Sequence, residues 1–255
     1  MRRNQTASTY GYTFGPGPLT PAIRAIVITN VVVFVIMALD PTVRFALEAG
    51  FGMQPSAAIG QFRLWQFVTY MFLHAGFFHI LFNMLTLWMF GVELERMWGS
   101  AFFTRFYLVT GVGAAATQVL LSFTPLAVAD RLYDAVTIGA SGAIYGVLLA
   151  YAVYFPHRII HYMMLFPIPA KYFVAIMGAI ALISSVNASG GGIAHGAHLG
   201  GMIAAWLYLK SRIPGRLKVM AEIKYRYLKW RIAKERKRFD VYQGGRTDDS
   251  TRRPH

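Results

Sequence analysis

The 255-residue sequence contains no cysteine and few charged residues. Without cysteine, the chain cannot form disulfides, use a thiolate nucleophile or bind a metal through thiolates. Only 14% of the residues are charged, whereas 56% are hydrophobic, which is too apolar for an ordinary soluble domain. The composition therefore indicates a membrane protein.

Acidic residues are the scarcer charged type, with 11 against 25 lysines and arginines. The resulting net charge of +14 would suggest a nucleic-acid partner if it covered a folded surface. Instead, 15 of the 25 basic residues lie from Lys210 onward. We therefore expect no nucleic acid as a partner, and we expect the basic C-terminal tail, residues 211–255, to lie in the cytoplasm on anionic lipid.

Six apolar segments are candidates to cross the bilayer, whose apolar core of about 30 Å takes roughly 20 helical residues. The sequence thus predicts an all-α fold, a polytopic membrane bundle of six transmembrane helices. We divide the chain into a flexible arm (1–20), a membrane domain (21–210) and the basic tail. No cleavage site follows the first segment, so we interpret it as a retained helix. The six segments are 22–39, 77–92, 102–123, 135–155, 172–186 and 193–209.

The connection between the first two segments, residues 40–76, is long and rich in aromatic residues. We interpret it as a partly helical interfacial loop anchored by Trp65 and Tyr70. The alternative is a further re-entrant or spanning segment, for which Arg63 and Gln66 are poorly suited. Because positive charges cluster at alternate connections, the positive-inside rule places both termini in the cytoplasm. We expect an integral protein of a bacterial inner membrane.

Four polar side chains lie near the N-terminal ends of the even-numbered segments, namely His79, Asn83, Ser141 and His198. These segments enter the membrane from the same side, so the four side chains could meet in one plane below its outer surface. Polar and ionisable residues inside a membrane are costly, which makes them functional candidates. His79 and Asn83, four residues apart, could serve as oxyanion-hole donors or simply as a polar pair between helices.

The remaining residue types exclude two other protease mechanisms. All 11 acidic residues lie at the ends of the segments or outside them, so the membrane core lacks paired carboxylates. The zinc-protease motif H-E-x-x-H is absent as well. A hydroxyl and an imidazole remain, and His198 could take the proton of Ser141 in nucleophilic catalysis. We predict a dyad without metal or cofactor; His195 could share a metal with His198, but a third ligand is missing.

Small residues surround the two candidate catalytic side chains. Gly139 and Gly142 bracket the sequence G-A-S-G and would let the backbone approach a substrate closely. Taken alone, small residues in membrane helices more often serve close packing. Tyr145 lies one turn after Ser141 and could pack against the imidazole. Gly201 lies one turn after His198 in the last segment, where it would let a neighbouring helix come close.

Together these motifs resemble the rhomboid family of intramembrane serine proteases, over about residues 22–210. They occur in the order and in the helices that the family requires. One departure is that the family's frequent Trp-Arg pair in the long loop appears here as Trp65-Gln66. The motifs are HILFNM (79–84), E-x-x-x-G-S (95–100), GASG (139–142) with Tyr145, and AHLGG (197–201).

The resemblance implies a six-helix core with a water-accessible cavity that opens to the outer side. It implies cleavage of single-span membrane proteins within or near their transmembrane segments, through an acyl-enzyme. On the matching positions, Ser141 is the nucleophile and His198 the base, while His79, Asn83 and the Ser141 backbone N–H form the oxyanion hole and Tyr145 stacks on the base. Two other functions stay open: a non-catalytic relative that binds membrane helices, and a small channel or transporter that uses intramembrane histidines.

Overall fold

A computed structural model describes residues 15–125, 129–162, 166–186, 192–212, 229 and 231–232. The chain divides into two compact units, Met1–Leu209 and Lys210–His255. Most of the predicted tail lies outside the described residues. The helices are α1 (Pro21–Leu39), α2 (Pro41–Phe51), α3 (Pro55–Gly60), α4 (Gln66–Thr69), α5 (Phe77–Thr86), α6 (Val92–Trp98), α7 (Ser100–Ser122), α8 (Ala129–Asp134), α9 (Ser141–Tyr154), α10 (Ala170–Val186) and α11 (Gly192–Arg212).

The predicted all-α class is confirmed, with one small exception. A hairpin of two short antiparallel strands, β1 (Ile159–Tyr162) and β2 (Phe166–Pro169), connects α9 to α10. The hairpin is tied to α6 by an ion pair in which Arg158 Nη1 lies 3.1 Å from Glu93 Oε1. The sequence did not predict this hairpin, because its residues are as apolar as the helices on either side.

Within the described part of the chain, two helical stretches are both long and apolar enough to cross a membrane, Pro21–Leu39 and Phe77–Trp98. Two further apolar helices are shorter, Ser141–Tyr154 and Ala170–Ser185. The long helices α7 and α11 have 23 and 21 residues, respectively. They are less apolar because small residues and polar threonine or histidine side chains take many of the places that large aliphatic residues have in the other helices.

The second predicted segment is longer than expected. Its helix continues from α5 through a π-helical turn (Leu87–Gly91) into α6, past charged residues that were expected to end it. The helix can continue because Glu95 is buried and its carboxylate is fully hydrogen-bonded to the protein. Its carboxylate accepts from the backbone N–H groups of Ala22 and Ile23 at 2.8 and 2.9 Å, and from the hydroxyl groups of Thr20 and Ser100. One carboxylate thus caps the start of α1 and ties it to the α6–α7 junction.

The loop of residues 40–76 folds into α2, α3, α4 and a short 3₁₀ turn (Tyr70–Phe72). Its longest helix, α2, has 11 residues, about half of a membrane span. Asp40 caps α2 by accepting from the N–H of Thr42, and this hydrogen bond lowers the pKa of the Asp40 carboxyl. Trp65 Nε1 donates to the carbonyl of Gly50 at 2.9 Å, which fastens α4 to the end of α2.

Tyr70, which the sequence placed at the membrane interface, is instead buried, with 1% of its surface exposed. Its hydroxyl donates to the carbonyl of Gly111 in α7 at 2.8 Å. The expectation was wrong because an aromatic residue with a polar tip serves equally well as an interfacial anchor and as a buried residue with a hydrogen-bond partner. Tyr70 therefore fastens the loop to the core of the bundle.

Helix α7 lies at the centre of the bundle and contacts α1, α4, α6, α8 and α9. Its neighbours approach it through glycines. A Cβ added to Gly146 of α9 would lie 2.8 Å from the Thr110 side chain, and one added to Gly200 of α11 would overlap Thr117. Because the glycines have no side chain, α9 and α11 can both press against α7, which brings them close to each other.

Candidate active site

Ser141 is the first residue of α9. The sequence predicted this helix from residue 135, six residues too early, because residues 135–140 are as apolar as the helix itself. In the structure Thr137 pairs with Met53 of the long loop in an isolated antiparallel bridge, with N–H to carbonyl distances of 2.9 and 2.8 Å. The extended approach puts Ser141 at a helix N-terminus, where its backbone N–H has no partner within the helix.

Gly139 shapes the turn that leads to Ser141. Its φ of +122° lies in the region that side chains other than glycine rarely adopt. A Cβ at this position would also lie 2.7 Å from Nε2 of His79. Position 139 therefore requires glycine for two reasons: the backbone conformation and the close approach of His79.

The structure brings Ser141 and His198 into contact. His198 Nε2 lies 2.7 Å from Ser141 Oγ, a hydrogen-bond distance between residues of α11 and α9. The contact depends on the glycines one residue and one turn away, because a Cβ added to Gly201 would overlap the carbonyl oxygen of Gly142. The two helix backbones thus leave no room for a side chain at Gly201, at the level of Ser141 and His198.

Tyr145 stacks on the imidazole of His198. The two ring centroids are 4.2 Å apart and the planes differ by 4°. Stacking fixes the plane of the imidazole while leaving its edge free for hydrogen bonds. Tyr145 therefore restricts His198 to orientations in which Nε2 can face Ser141.

His79 and Asn83 present hydrogen-bond donors on the other side of Ser141. The Nδ1 atom of His79 accepts from the backbone N–H of Ala75 at 3.3 Å, so the neutral ring carries its proton on Nε2, the atom nearest to Gly139. The Asn83 amide donates one hydrogen to the carbonyl of His79 at 2.7 Å, which leaves its second hydrogen available.

A cavity of about 200 Å³ joins these groups. Ser141, His198 and both side-chain donors all line it, so a substrate carbonyl in the cavity could reach each of them. The described residues that line it are Tyr70, His79, Asn83, Thr137, Ile138, Gly139, Ser141, Gly142, Ala197 and His198.

Two residues that the motifs did not indicate, Tyr70 and His74, support the turn before Ser141. The carbonyl of Tyr70 accepts from the N–H of Gly139 at 2.9 Å. Nε2 of His74 accepts from the N–H of Ala140 at 3.5 Å, and the His74 ring lies edge-on to His79 with the centroids 4.9 Å apart. Burial, with a smaller contribution from His79, lowers the pKa of His74 to about 3, so this ring is neutral at physiological pH. The polar His74 ring stands in an apolar run, which was the available sequence signal for this residue.

The geometry defines a class of protein: a helical membrane bundle in which a serine hydroxyl contacts an imidazole at a cavity lined by further hydrogen-bonding side chains. The comparison with known families identifies it further. The model of the Rhomboid domain matches residues 61–213, more than half of the chain, and so the chain belongs to the rhomboid family. All the candidate site residues lie inside the matched region. The resemblance and the polytopic fold class predicted from the motifs are therefore confirmed.

Three relatives illustrate the similarity. The chain is 34% identical over 142 residues to Rhomboid protein 1, mitochondrial, of Saccharomyces cerevisiae, covering 54% of this chain and 38% of that protein. It is 28% identical over 147 residues to Rhomboid protease AarA of Providencia stuartii, covering 54% of this chain and 52% of the relative. It is 37% identical over 98 residues to Rhomboid protease GluP of Bacillus subtilis, covering 38% of this chain and 17% of the relative. The chain thus spans about half the length of these relatives or less.

Proposed function

We propose that this protein is an intramembrane serine endopeptidase that cleaves single-span membrane proteins within or near their transmembrane segments. The observation that carries the proposal is the 2.7 Å contact between Ser141 Oγ and His198 Nε2 at a cavity with hydrogen-bond donors. Relatives from Providencia stuartii and Bacillus subtilis that bear the name rhomboid protease support the same activity.

In the proposed mechanism, Ser141 Oγ attacks the carbonyl carbon of the scissile peptide bond while His198 Nε2 takes the hydroxyl proton. The oxyanion that forms accepts hydrogen bonds from the Ser141 backbone N–H, from His79 Nε2–H and from the Asn83 amide. His198 then gives its proton to the leaving amine, and an acyl-enzyme remains on Ser141. Water activated by His198 hydrolyses the ester and restores the serine.

The proposal includes the partners and the setting of the enzyme. A substrate helix must open its backbone hydrogen bonds before a peptide bond can reach Ser141, so the substrates are transmembrane proteins whose helices unwind locally. The distribution of basic residues supports an orientation with both termini in the cytoplasm, and a bacterial inner membrane is the setting we propose. We propose that the chain has three parts. These are an arm (1–20), the protease domain (21–210) and a basic tail on anionic lipid (211–255).

Labelling with a serine-reactive fluorophosphonate, together with cleavage of a reconstituted single-span substrate, tests the proposal. We expect the wild type to be labelled and to cleave, Ser141→Ala to do neither, and His198→Ala to lose about 10²- to 10⁴-fold in both rates, the usual contribution of a general base. Ser185→Ala is the matched control, because this half-buried serine lies outside the cavity and donates to the carbonyl of Leu182 within its own helix; it should behave as wild type.

Other results would favour the alternatives. Cleavage at the wild-type rate by Ser141→Ala would contradict the proposal. Binding of membrane helices by a wild-type protein that is neither labelled nor active would support a non-catalytic relative. Ion or solute flux through liposomes that depends on His79 or His198 would support a channel or transporter.

A further inference from the structure

One nitrogen of the candidate base has no partner among the described residues. Because Nε2 of His198 accepts from the Ser141 hydroxyl, the neutral imidazole must carry its proton on Nδ1. This Nδ1 atom is buried and has no hydrogen-bond partner in the described part of the chain. In a serine protease with a triad, a carboxylate accepts from this atom, holds the tautomer and stabilises the imidazolium that forms. A buried donor without a partner is unfavourable, because it has lost its hydrogen bond to water and gained none in the protein.

A second histidine lies next to this atom. His195 is one helical turn before His198 on α11, and the two ring centroids are 5.6 Å apart with the planes at 80°. Its Nδ1 atom is likewise buried and, within the described ranges, likewise lacks a partner. Two neighbouring rings therefore each have a buried nitrogen to satisfy, and a neutral imidazole offers one donor and one acceptor. Since neither Nδ1 has a direct partner in the described part of the chain, a single water is the group that could connect the two rings.

We infer that His195 is a positioning residue for the dyad and accepts, through one bridging water, the hydrogen bond from Nδ1–H of His198. In this role it takes the position that a carboxylate has in a triad. The inference rests on the proposed function. No proton passes to His195: the serine proton goes to Nε2 of His198 and leaves on the amine, while the bond at Nδ1 keeps the tautomer and stabilises the transient imidazolium.

The cavity supports a positioning role rather than direct contact with the substrate. His198 lines the cavity, whereas His195 is not among the described residues that do. A substitution of His195 should therefore change the rate of the chemical step and leave substrate binding unchanged. It should also change labelling by a small fluorophosphonate, which needs an activated serine but makes few contacts with a substrate site.

The test compares His195→Leu and His195→Asn in the full-length protein. Leucine fills the space without a hydrogen bond, so we expect kcat and the labelling rate to fall about 10- to 100-fold, at or below the usual contribution of a whole general base, with KM unchanged. The amide of asparagine can accept from the bridging water, and so this variant should recover most of the lost rate. His157→Leu, at an exposed histidine outside the site, is the control and should match the wild type.

The outcomes separate this inference from the proposed function. If the wild type itself is not labelled and does not cleave, the proposed function fails, and the inference falls with it. If the wild type is active and His195→Leu is equally fast, the inference alone is overturned. It is also overturned if His195→Asn is as slow as His195→Leu, or if KM rather than kcat changes, because packing or substrate contact would then explain the residue.

Discussion

At the end of the bundle that contains Ser141, α9 and α11 meet through glycines, whereas at the opposite end the same helices meet their neighbours through aromatic rings. Around the dyad, the contact between Gly142 and Gly201 leaves no room for a Cβ. At the far end of α9, Tyr154 lies 5.4 Å from Trp98 of α6, centroid to centroid. At the far end of α11, Tyr208 lies 5.9 Å from Phe106 of α7.

The two ends therefore have different roles. The glycine end sets the distance between the α9 and α11 backbones, and the aromatic end stabilises the fold. A contact between two glycines fixes the spacing of the backbones, and no side chain can adjust if one of them changes. An aromatic cluster buries a large area and can repack around a smaller residue. We therefore expect substitutions at the glycine end to change activity and substitutions at the aromatic end to change stability.

The largest effect is expected at the aromatic end. Phe106 is fully buried and lies 5.1 Å from the Trp98 ring. Phe106→Ala should lower the free energy of unfolding by about 3–5 kcal/mol, the usual cost of removing a buried phenyl ring, and leave activity per folded molecule unchanged. Denaturant unfolding in detergent micelles and active-site labelling of the folded fraction measure the two quantities.

Phe166→Ala is the matched control for this prediction. Phe166 is exposed on β2, so its removal should change the free energy of unfolding by less than about 0.5 kcal/mol. A Phe106→Ala protein that folds as stably as the wild type but has lost its activity would break the proposed division between the two ends.

The next effect is expected at the glycine end. In Gly201→Ala, the new methyl group would overlap the Gly142 carbonyl oxygen, a backbone atom that cannot rotate away. The helices must separate, and a displacement of about 1 Å at a catalytic group can cost about 100-fold in rate. We expect kcat to fall by about that factor, with a smaller loss of stability. Cleavage of a reconstituted substrate measures it.

Gly178→Ala controls for the general cost of replacing a glycine in a membrane helix. A Cβ at Gly178 of α10 would lie 3.3 Å from Cε of Met202, the flexible end of a side chain that can move. This variant should retain wild-type activity. If Gly178→Ala and Gly201→Ala were equally active, the close approach of α9 and α11 would not determine the distance between Ser141 and His198.

The site was easier to predict from the sequence than the boundaries of the helices that carry it. Ser141 and His198 stand out because a polar residue in an apolar segment needs a reason. The start of α9 was wrong because residues 135–140 contain nothing that distinguishes an extended chain from a helix by composition. The end of the second segment was wrong because the groups that satisfy Glu95 include Ala22 and Ile23, which lie more than 70 positions away in sequence.

The supports of the turn before Ser141 could not be predicted for a related reason. The backbone contacts of Tyr70 and His74 with Gly139 and Ala140 join positions about 65 to 70 apart. Such contacts follow from how the long loop packs on the bundle, and hydrophobic patterns do not carry that information. Only the polarity of His74 within an apolar run pointed to one of them, because the Tyr70 contact is made by its backbone carbonyl.

The smallest expected effect is the pH dependence that His74 gives to the stability of the protein. His74 contacts Ala140 at the glycine end, so this end would then contribute to stability as well. The pKa of His74 is about 3 in the folded protein, below the ordinary value of 6.5, because the ring is buried. Between these pH values the unfolded chain binds a proton that the folded one does not, so stability falls as the pH falls from about 6.5, by at most about 1.4 kcal/mol per pH unit. In His74→Gln, whose amide oxygen can still accept from Ala140, this loss should vanish. Unfolding measured at pH 7, 6 and 5 tests the prediction, with His157→Gln expected to follow the wild type. Equal pH slopes for the wild type and His74→Gln would show that the ring is not held neutral by burial.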